Sequence, residues 1–337
     1  MSIAPLRESR TGMAVNRQKL FQDKLGNLIH GFLLIMGLAA LLVLIGWMMA
    51  GWPGVWWALL FGAVLLLAGG QLSPRLLLAR SNARPLPRRN APALYAIMDE
   101  LYQRAGIRAP PALWYVPSPV LNAFAVGTQK DGAITVTSGL LRALPLRPLT
   151  GVLAHETSHL QNNDTWVMAM AALFTQLTGW LAFAGQLLLL AMLPMVMTGQ
   201  TQMPWLTLML LAITPTVSTL LQLALSRNRE FAADLSAAEL TGDPQGLASA
   251  LAILESAQGT WQESIFLPRQ QHPSVPRWLR THPEPRERIE RLMAYAPSRP
   301  EDTIPMVRLL PGRHAHDIMI SPTDQPQPRR RGGLFRL

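Results

Sequence analysis

The sequence predicts an α+β protein, with four transmembrane helices in two hairpins and a soluble part built on a small antiparallel sheet. Three observations predict it. Residues 25–74 and 165–226 contain no Asp, Glu, Lys or Arg, in runs of 50 and 62 residues, whereas one bilayer crossing takes about 20 apolar residues. All 30 Lys and Arg fall in the three segments outside those runs: five before the first, ten between the two and fifteen after the second. Between and after the runs, helical periodicity alternates with short β-like stretches.

Each uncharged run has room for two spans and a tight connection. Gly51-Trp52-Pro53-Gly54 interrupts the first run, and Pro194 followed by the polar stretch 198–202 interrupts the second. Helices are therefore expected at 28–49, 55–72, 166–193 and 204–225. Trp52, Trp56, Trp57 and Trp205 stand at the breaks, where an amphipathic ring favours the membrane interface. Pro215 should kink the fourth span, and His30 opens the first. Charged residues make up only 15% of the chain, against roughly 25% in soluble domains. The first apolar run is also longer than the core of a signal peptide. The positive-inside rule puts residues 1–27, 74–164 and 226–337 in the cytoplasm and the hairpin tips outside. The middle and C-terminal segments then share one side and can build one site. The net charge of +10, gathered beside the spans, fits an anionic lipid surface rather than nucleic acid. The absence of cysteine excludes disulfides, thiolate catalysis and Cys-ligated zinc.

The expected organisation is a cytoplasmic N-terminal segment (1–27), a first transmembrane hairpin (28–73), a first cytoplasmic part (74–164), a second hairpin (165–225), a second cytoplasmic part (226–298) and a flexible basic tail (299–337). Within the first cytoplasmic part, Leu94, Ile97, Met98, Leu101 and Tyr102 mark one face of a helix over 90–108, with Asn90 as N-cap, Pro92 just inside and Gly106 as terminator. Strand-like runs follow at 112–116, 121–126 and 133–137. The last two are joined through Asp131-Gly132, a hairpin signal. A helix over 147–163 comes next. The tail is rich in Pro and polar residues and ends in a basic cluster around Arg329, Arg330 and Arg331.

That last helix carries His155-Glu156-Thr157-Ser158-His159. Residues i and i+4 lie on one helical face, so both imidazoles can meet one metal ion, with Glu156 placed to take a proton from a metal-bound water. With seven histidines in the chain, this spacing rarely arises by chance. A third ligand is needed. The histidine six residues after the second motif histidine, as in metzincins, would fall at Thr165, so that layout fails. The alternative is His₂Glu, with the carboxylate on a later helix. The candidate is Glu230, directly after the fourth span. Glu230 and Asp234 are also i, i+4, so one can bind metal while the other supports a ligating imidazole.

These motifs, read with LNAFA at 121–125, TVTSGLL at 135–141, AHETSH at 154–159, REFAAD at 229–234, THP at 281–283 and Arg288-Ile289, resemble the HtpX-type integral-membrane zinc metalloproteases, relatives of the CAAX prenyl endopeptidases. The order of the stretches agrees, as does a helix hairpin between the two metal-binding segments, and the resemblance covers about residues 25–295. It implies a gluzincin-like domain holding one Zn²⁺ through His155, His159 and Glu230, with Asp234 as the supporting carboxylate. It also implies endoproteolysis of membrane or misfolded proteins, that is, quality control in the stress response at the bacterial inner membrane. Asn122, Ala123 and Phe124 lie in a strand-like run that the resemblance places along the active-site cleft, where an edge strand pairs with extended substrate. His282 is the candidate donor to the oxyanion, and Arg288 a second one. Thr157 and Ser158 are more polar than the family's usual pair and are expected to have little effect.

The expected partners are protein or peptide substrates, membrane proteins among them, and the lipid bilayer; nucleic acid is not expected. Two other readings compete: a specific processing protease of the prenyl-peptide type, and an inactive membrane scaffold with a structural metal. The first would need an enclosed chamber larger than four spans provide. The second has no use for Glu156.

Overall fold

The computed structural model describes residues 17–68, 78, 83–258 and 285–295. Helix α1 (Arg17–Ala68) is broken at Gly51, whose φ of 61° and ψ of −141° are non-helical and suit a residue without Cβ. The chain reverses there. A Cβ on Gly46 would lie 2.5 Å from the Gly54 carbonyl oxygen, so the two arms touch backbone to backbone. Among the described residues, three helices are long and apolar enough to cross a membrane: Leu25–Ala50, Asp164–Met197 and Trp205–Thr241. The expected second span begins as a shorter apolar helix, Trp52–Val64. Large apolar side chains stand outward along these helices, including Trp52 and Trp205 at 71% exposure each. An apolar surface this extensive, on helices of spanning length, is that of a protein in contact with a membrane.

The soluble sheet has strands β1 (Arg84–Pro85), β2 (Leu113–Val116), β3 (Ala123–Val126) and β4 (Ala133–Thr137) in the order β1-β2-β4-β3. The expected hairpin is β3–β4, with Val126 opposite Ala133 and Ala123 opposite Val136. The expectation of a purely antiparallel sheet needs correction, because β2 runs parallel to β4, with Leu113 opposite Ile134. The link 117–122 carries the chain to the far edge, so the hairpin returns β4 into the middle. Pro117 and Pro119 have no N–H for a ladder, and the link is pinned to the start of the next helix instead. Thr137 Oγ1 donates to the Val120 carbonyl (2.6 Å), and the Gly139 N–H donates to the Ser118 carbonyl (2.9 Å). β4 is buried along its whole length, as an interior strand should be.

Around the sheet pack α2 (Pro92–Ala105), α3 (Ser138–Ala143) and α4 (Leu146–Gln161). The α2 face named by periodicity is the buried one, and Gly106 ends it in the left-handed conformation. The N-cap is Ala91 rather than Asn90; Asn90 closes the preceding 3₁₀ turn, Arg88–Asn90. After α4 come α5 (Asp164–Ala191), α6 (Leu193–Met197), α7 (Trp205–Thr241), α8 (Pro244–Gln258) and α9 (Pro285–Ala294). The fourth span was expected to end near 225 with a kink at Pro215. The helix in fact runs well past 225: α7 is 37 residues long, with Pro215 inside it, and ends at Thr241.

One core joins the two soluble parts. Ile97 and Leu101 of α2, Ile134 of β4, Leu149 and Leu153 of α4, Ala237 of α7, Leu247 of α8 and Leu292 of α9 belong to a single buried cluster. The segments before and after the second apolar hairpin are thus one folding unit. Gly151, one turn before His155, lets α8 approach. A Cβ there would lie 2.6 Å from Leu247 N and 2.7 Å from its Cα, atoms of a helix backbone that cannot step aside. Gly151→Ala should therefore destabilise the soluble unit by about 1–3 kcal/mol, the usual cost of overpacking. Thermal melts of detergent-purified protein would measure this; an unchanged melting temperature would contradict the packing described.

Candidate metal centre

Helix α4 is buried on nearly every side and lies against the C-terminal half of α7. Ala154 and Ala233 are fully buried, and such small residues permit close approach of the two helices. The Ser158 hydroxyl sits between two carbonyl oxygens, that of His155 on its own helix (2.7 Å) and that of Ala233 on α7 (3.1 Å). The polar residue inside the motif, expected to matter little, thus bridges the two helices that carry the site.

Across this interface the three expected ligands converge. His155, His159 and Glu230 each offer one atom within 4.8 Å of the others. The two Nε2 atoms are 3.1 Å apart. Glu230 Oε2 is 3.5 Å from His155 Nε2, and Oε1 is 3.9 Å from His159 Nε2. The imidazoles meet edge to face, at 86° between planes. Two donors bound to a tetrahedral zinc at about 2.0–2.1 Å stand roughly 3.3 Å apart, so the donor set fits such an ion.

Each imidazole is held from behind by its other nitrogen. Asp234 Oδ1 is 3.0 Å from His155 Nδ1, and Asp164 Oδ2 is 2.9 Å from His159 Nδ1. A carboxylate on Nδ1 fixes the tautomer and leaves Nε2 as the free lone pair. Of the two roles open to Glu230 and Asp234, the geometry gives the inner position to Glu230 and the outer one to Asp234. Arg288 completes this shell. Its Nε and Nη2 donate to Asp234 (2.7 and 2.6 Å), and its Nη1 is 3.2 Å from Glu230 Oε2. These contacts turn its donors toward the two carboxylates, with Nη2 also 3.5 Å from the His155 ring nitrogens.

Electrostatics follow from burial. Burial disfavours a charged imidazole, but the hydrogen bonds of His155 to Asp234 and Glu230 outweigh both that and the neighbouring Arg288, and its pKa is pushed up to about 10. The cluster draws positive charge onto the ligand. Burial also pushes the Glu156 carboxyl above its ordinary range, with His159 and His155 opposing and Glu230 adding to the rise. The Ala125 N–H hydrogen-bonds to that carboxylate, which ties Glu156 to strand β3. Among the described residues β3 is an edge of the sheet. It carries Ala123 and Phe124, with Asn122 directly before it, its N–H donating to Thr137 Oγ1 (3.1 Å). His282 and the 299–337 tail lie outside the described residues.

Asp164 and Arg229 were not singled out from the sequence. Asp164 sits five positions after His159, as the last charged residue before an uncharged run. Asn163 takes the left-handed conformation (φ 54°), which Asn tolerates better than most residues. That turn starts α5 and brings Asp164 back toward the motif. Asp164 carries one weak signal: a charge at the very end of an apolar span needs a polar reason to be there.

Residues 88–296 match the model of peptidase family M48. The chain belongs to peptidase family M48. Among similar proteins, a protease HtpX homolog of Acaryochloris marina is 39% identical over 242 residues, covering 68% of this chain and 81% of the relative. A protease HtpX homolog of Pelotomaculum thermopropionicum is 34% identical over 301 residues, covering 80% and 99%. Protease HtpX of Legionella pneumophila is 34% identical over 277 residues, covering 82% and 96%. The HtpX-type resemblance read from the motifs is therefore correct, and this M48 peptidase is a membrane-associated metalloprotease. The crystal structure of S. mikatae Ste24p aligns with a TM-score of 0.46 at 20% identity, over 81% of this chain and 66% of that one.

Removing Asp234 should release His155 and leave Arg288 facing an unfilled partner. Asp234→Ala is expected to weaken zinc binding about 10- to 100-fold, read by competition with a chromophoric chelator. Asp243→Ala, which removes a buried carboxylate paired with Arg147 away from the site, should leave zinc affinity unchanged.

Proposed function

We propose that this chain is a zinc-dependent endopeptidase of the gluzincin-like type, with one Zn²⁺ per chain held by His155, His159 and Glu230. The observation that carries this reading is the convergence of the two Nε2 atoms and the Glu230 carboxylate beside the buried Glu156. Bound zinc would supply a Lewis acid that lowers the pKa of a coordinated water to near neutrality. Glu156 then accepts the water proton and later passes it to the leaving amine. Its raised affinity for protons suits a group that must hold one during the reaction. The Ala125 N–H fixes that carboxylate relative to β3. A peptide laid along Asn122, Ala123 and Phe124 would pair with the sheet edge through its main chain, with little demand on its side chains. Asp234 orients His155, and Arg288 holds Asp234 and Glu230 in place. His282 is assigned the donor to the oxyanion.

The substrates in this reading are membrane or misfolded proteins, and the setting is the bacterial inner membrane. We place four spans there, in two hairpins, with the arm Trp52–Val64 as part of the second span. The soluble unit and both termini lie in the cytoplasm, at the domain boundaries given above. The supporting observations are the clustering of every basic residue outside the apolar runs and the single core shared by the two soluble parts.

Glu156→Gln should abolish casein hydrolysis by more than about 100-fold while one zinc per chain remains bound, measured by metal analysis of the purified variant. Chelation should silence the parent enzyme, and zinc should restore it. Persisting hydrolysis by the variant would end the proposal. The cysteine-free chain also permits a clean topology test. A membrane-impermeant maleimide should label Gln200→Cys in intact spheroplasts and Arg108→Cys only after lysis; the reverse pattern would refute the orientation.

A further inference from the structure

The shell around His159 differs from that around His155, because it reaches into the membrane part. Asp164 is 2% exposed. One of its oxygens meets His159 Nδ1, and the other lies 3.4 Å from Arg229 Nη1. A metal-ligating imidazole is neutral, so the Arg229 guanidinium supplies the full positive charge opposite this buried carboxylate. Burying an ion without such a partner is costly. Arg229 is itself wedged. Its Nε is buried and finds no hydrogen-bond partner among the described residues, so packing rather than hydrogen bonding sets the pose of that end. On its far side is Gly31 of α1. A Cβ there would stand 3.0 Å from Arg229 Nη2 and 3.3 Å from Asn228 Nδ2. The neighbouring Asn228 side chain donates to the Asn27 carbonyl (2.6 Å), fastening the same two helices one turn away.

We infer that Arg229 is a positioning residue that makes the grip on the metal depend on how the first membrane helix is seated. Gly31 leaves the space, Arg229 fills it and clamps Asp164, and Asp164 orients His159. The inference rests on His155, His159 and Glu230 being the metal ligands. It adds that the chain of contacts supporting the metal centre ends on a membrane helix that carries none of those ligands. Displacement of α1 at Gly31 would then loosen the site without touching a ligand.

The test uses full-length protein in detergent, with Glu156→Gln throughout to suppress self-cleavage. Zinc affinity is read by chelator competition, and ligand geometry by the visible absorption of the Co²⁺-loaded protein. Arg229→Gln should weaken zinc about tenfold and alter the Co²⁺ spectrum, in the range typical for partners of metal-bound histidine. Arg229→Lys should recover most of the loss. Adding Arg229→Gln to Asp164→Asn should cost no more than Asp164→Asn alone, because the two act in one chain of contacts. Gly31→Ala should weaken zinc several-fold when Arg229 is present and have no effect beside Arg229→Gln. The inference is overturned if Arg229→Gln binds zinc within about twofold of the parent, well short of the loss expected for such a partner, or if Gly31→Ala acts equally with and without Arg229. Should Arg229→Gln not fold, the milder Gly31→Ala and Arg229→Lys decide: parental affinity and spectrum in Gly31→Ala would overturn it. A parent that binds no zinc would instead defeat the ligand assignment itself.

Discussion

The packing of α4 on α7 is the constraint from which the rest of the structure follows. Two histidines one turn apart define only part of a metal site; the remaining ligand must arrive at a fixed distance from another element. Packed helices stand about 8–10 Å apart, and the distance between their side chains depends on what separates them. Here it is the buried Ala154 and Ala233, with the Ser158 hydroxyl touching the Ala233 carbonyl. Because α7 is a single helix from Trp205 to Thr241, the position of Glu230 answers to both ends of that rod. Leu211 and Leu225 pack among the membrane helices, while Ala237 and Leu240 pack in the soluble core. Neither half can shift without moving a ligand.

Charge balance explains why this assembly suits a divalent cation. Four buried carboxylates, Glu156, Asp164, Glu230 and Asp234, face two guanidinium groups, Arg229 and Arg288. Two negative charges are left over in a region screened from water, and neutral imidazoles do nothing to cancel them. A dication does. The same pull for positive charge shows in His155, whose hydrogen bonds to Asp234 and Glu230 raise its pKa against the effect of burial. Breaking either guanidinium pair would leave a buried charge uncompensated, typically a loss of roughly 3–5 kcal/mol. The arginines are therefore as much part of the site as the ligands.

Much of this was legible in the sequence because it is local. The helical spacing of His155 and His159, the face of α2 and the hairpin at Asp131-Gly132 each follow from a few neighbouring residues. Glu230 was found by elimination and by its place after an apolar run. What escaped depends on relations that spacing does not encode. The parallel pairing of β2 with β4 is decided by how 117–122 crosses the sheet, and a pair of prolines signals only that pairing stops. Pro215 does not end α7, because neighbouring groups can satisfy the backbone that a proline frees within a span. Of the second span expected over 55–72, the described residues form helix as far as Ala68. Asp164, Arg229 and Ser158 contribute through contacts across an interface and carry no motif of their own.

The placement of the site relative to the apolar runs has a consequence for the proposed chemistry. Glu230 lies five residues beyond the buried Leu225, which on a helix is about 7.5 Å. Asp164 is the residue immediately before the second apolar run. Half the difference between the full bilayer thickness and its hydrocarbon core is roughly 5–8 Å, so on the proposed topology both residues fall at headgroup depth rather than in hydrocarbon. Ionised carboxylates can be kept there with two arginines; deeper, they would be protonated or expelled. On the proposed reading, a peptide that leaves the bilayer meets the metal and the edge of β3 within its first few residues of polar backbone. Main-chain pairing at that edge requires only an extended strand. Selection would then depend on whether a segment can unfold near the membrane surface, which is the property that separates a damaged membrane protein from a sound one.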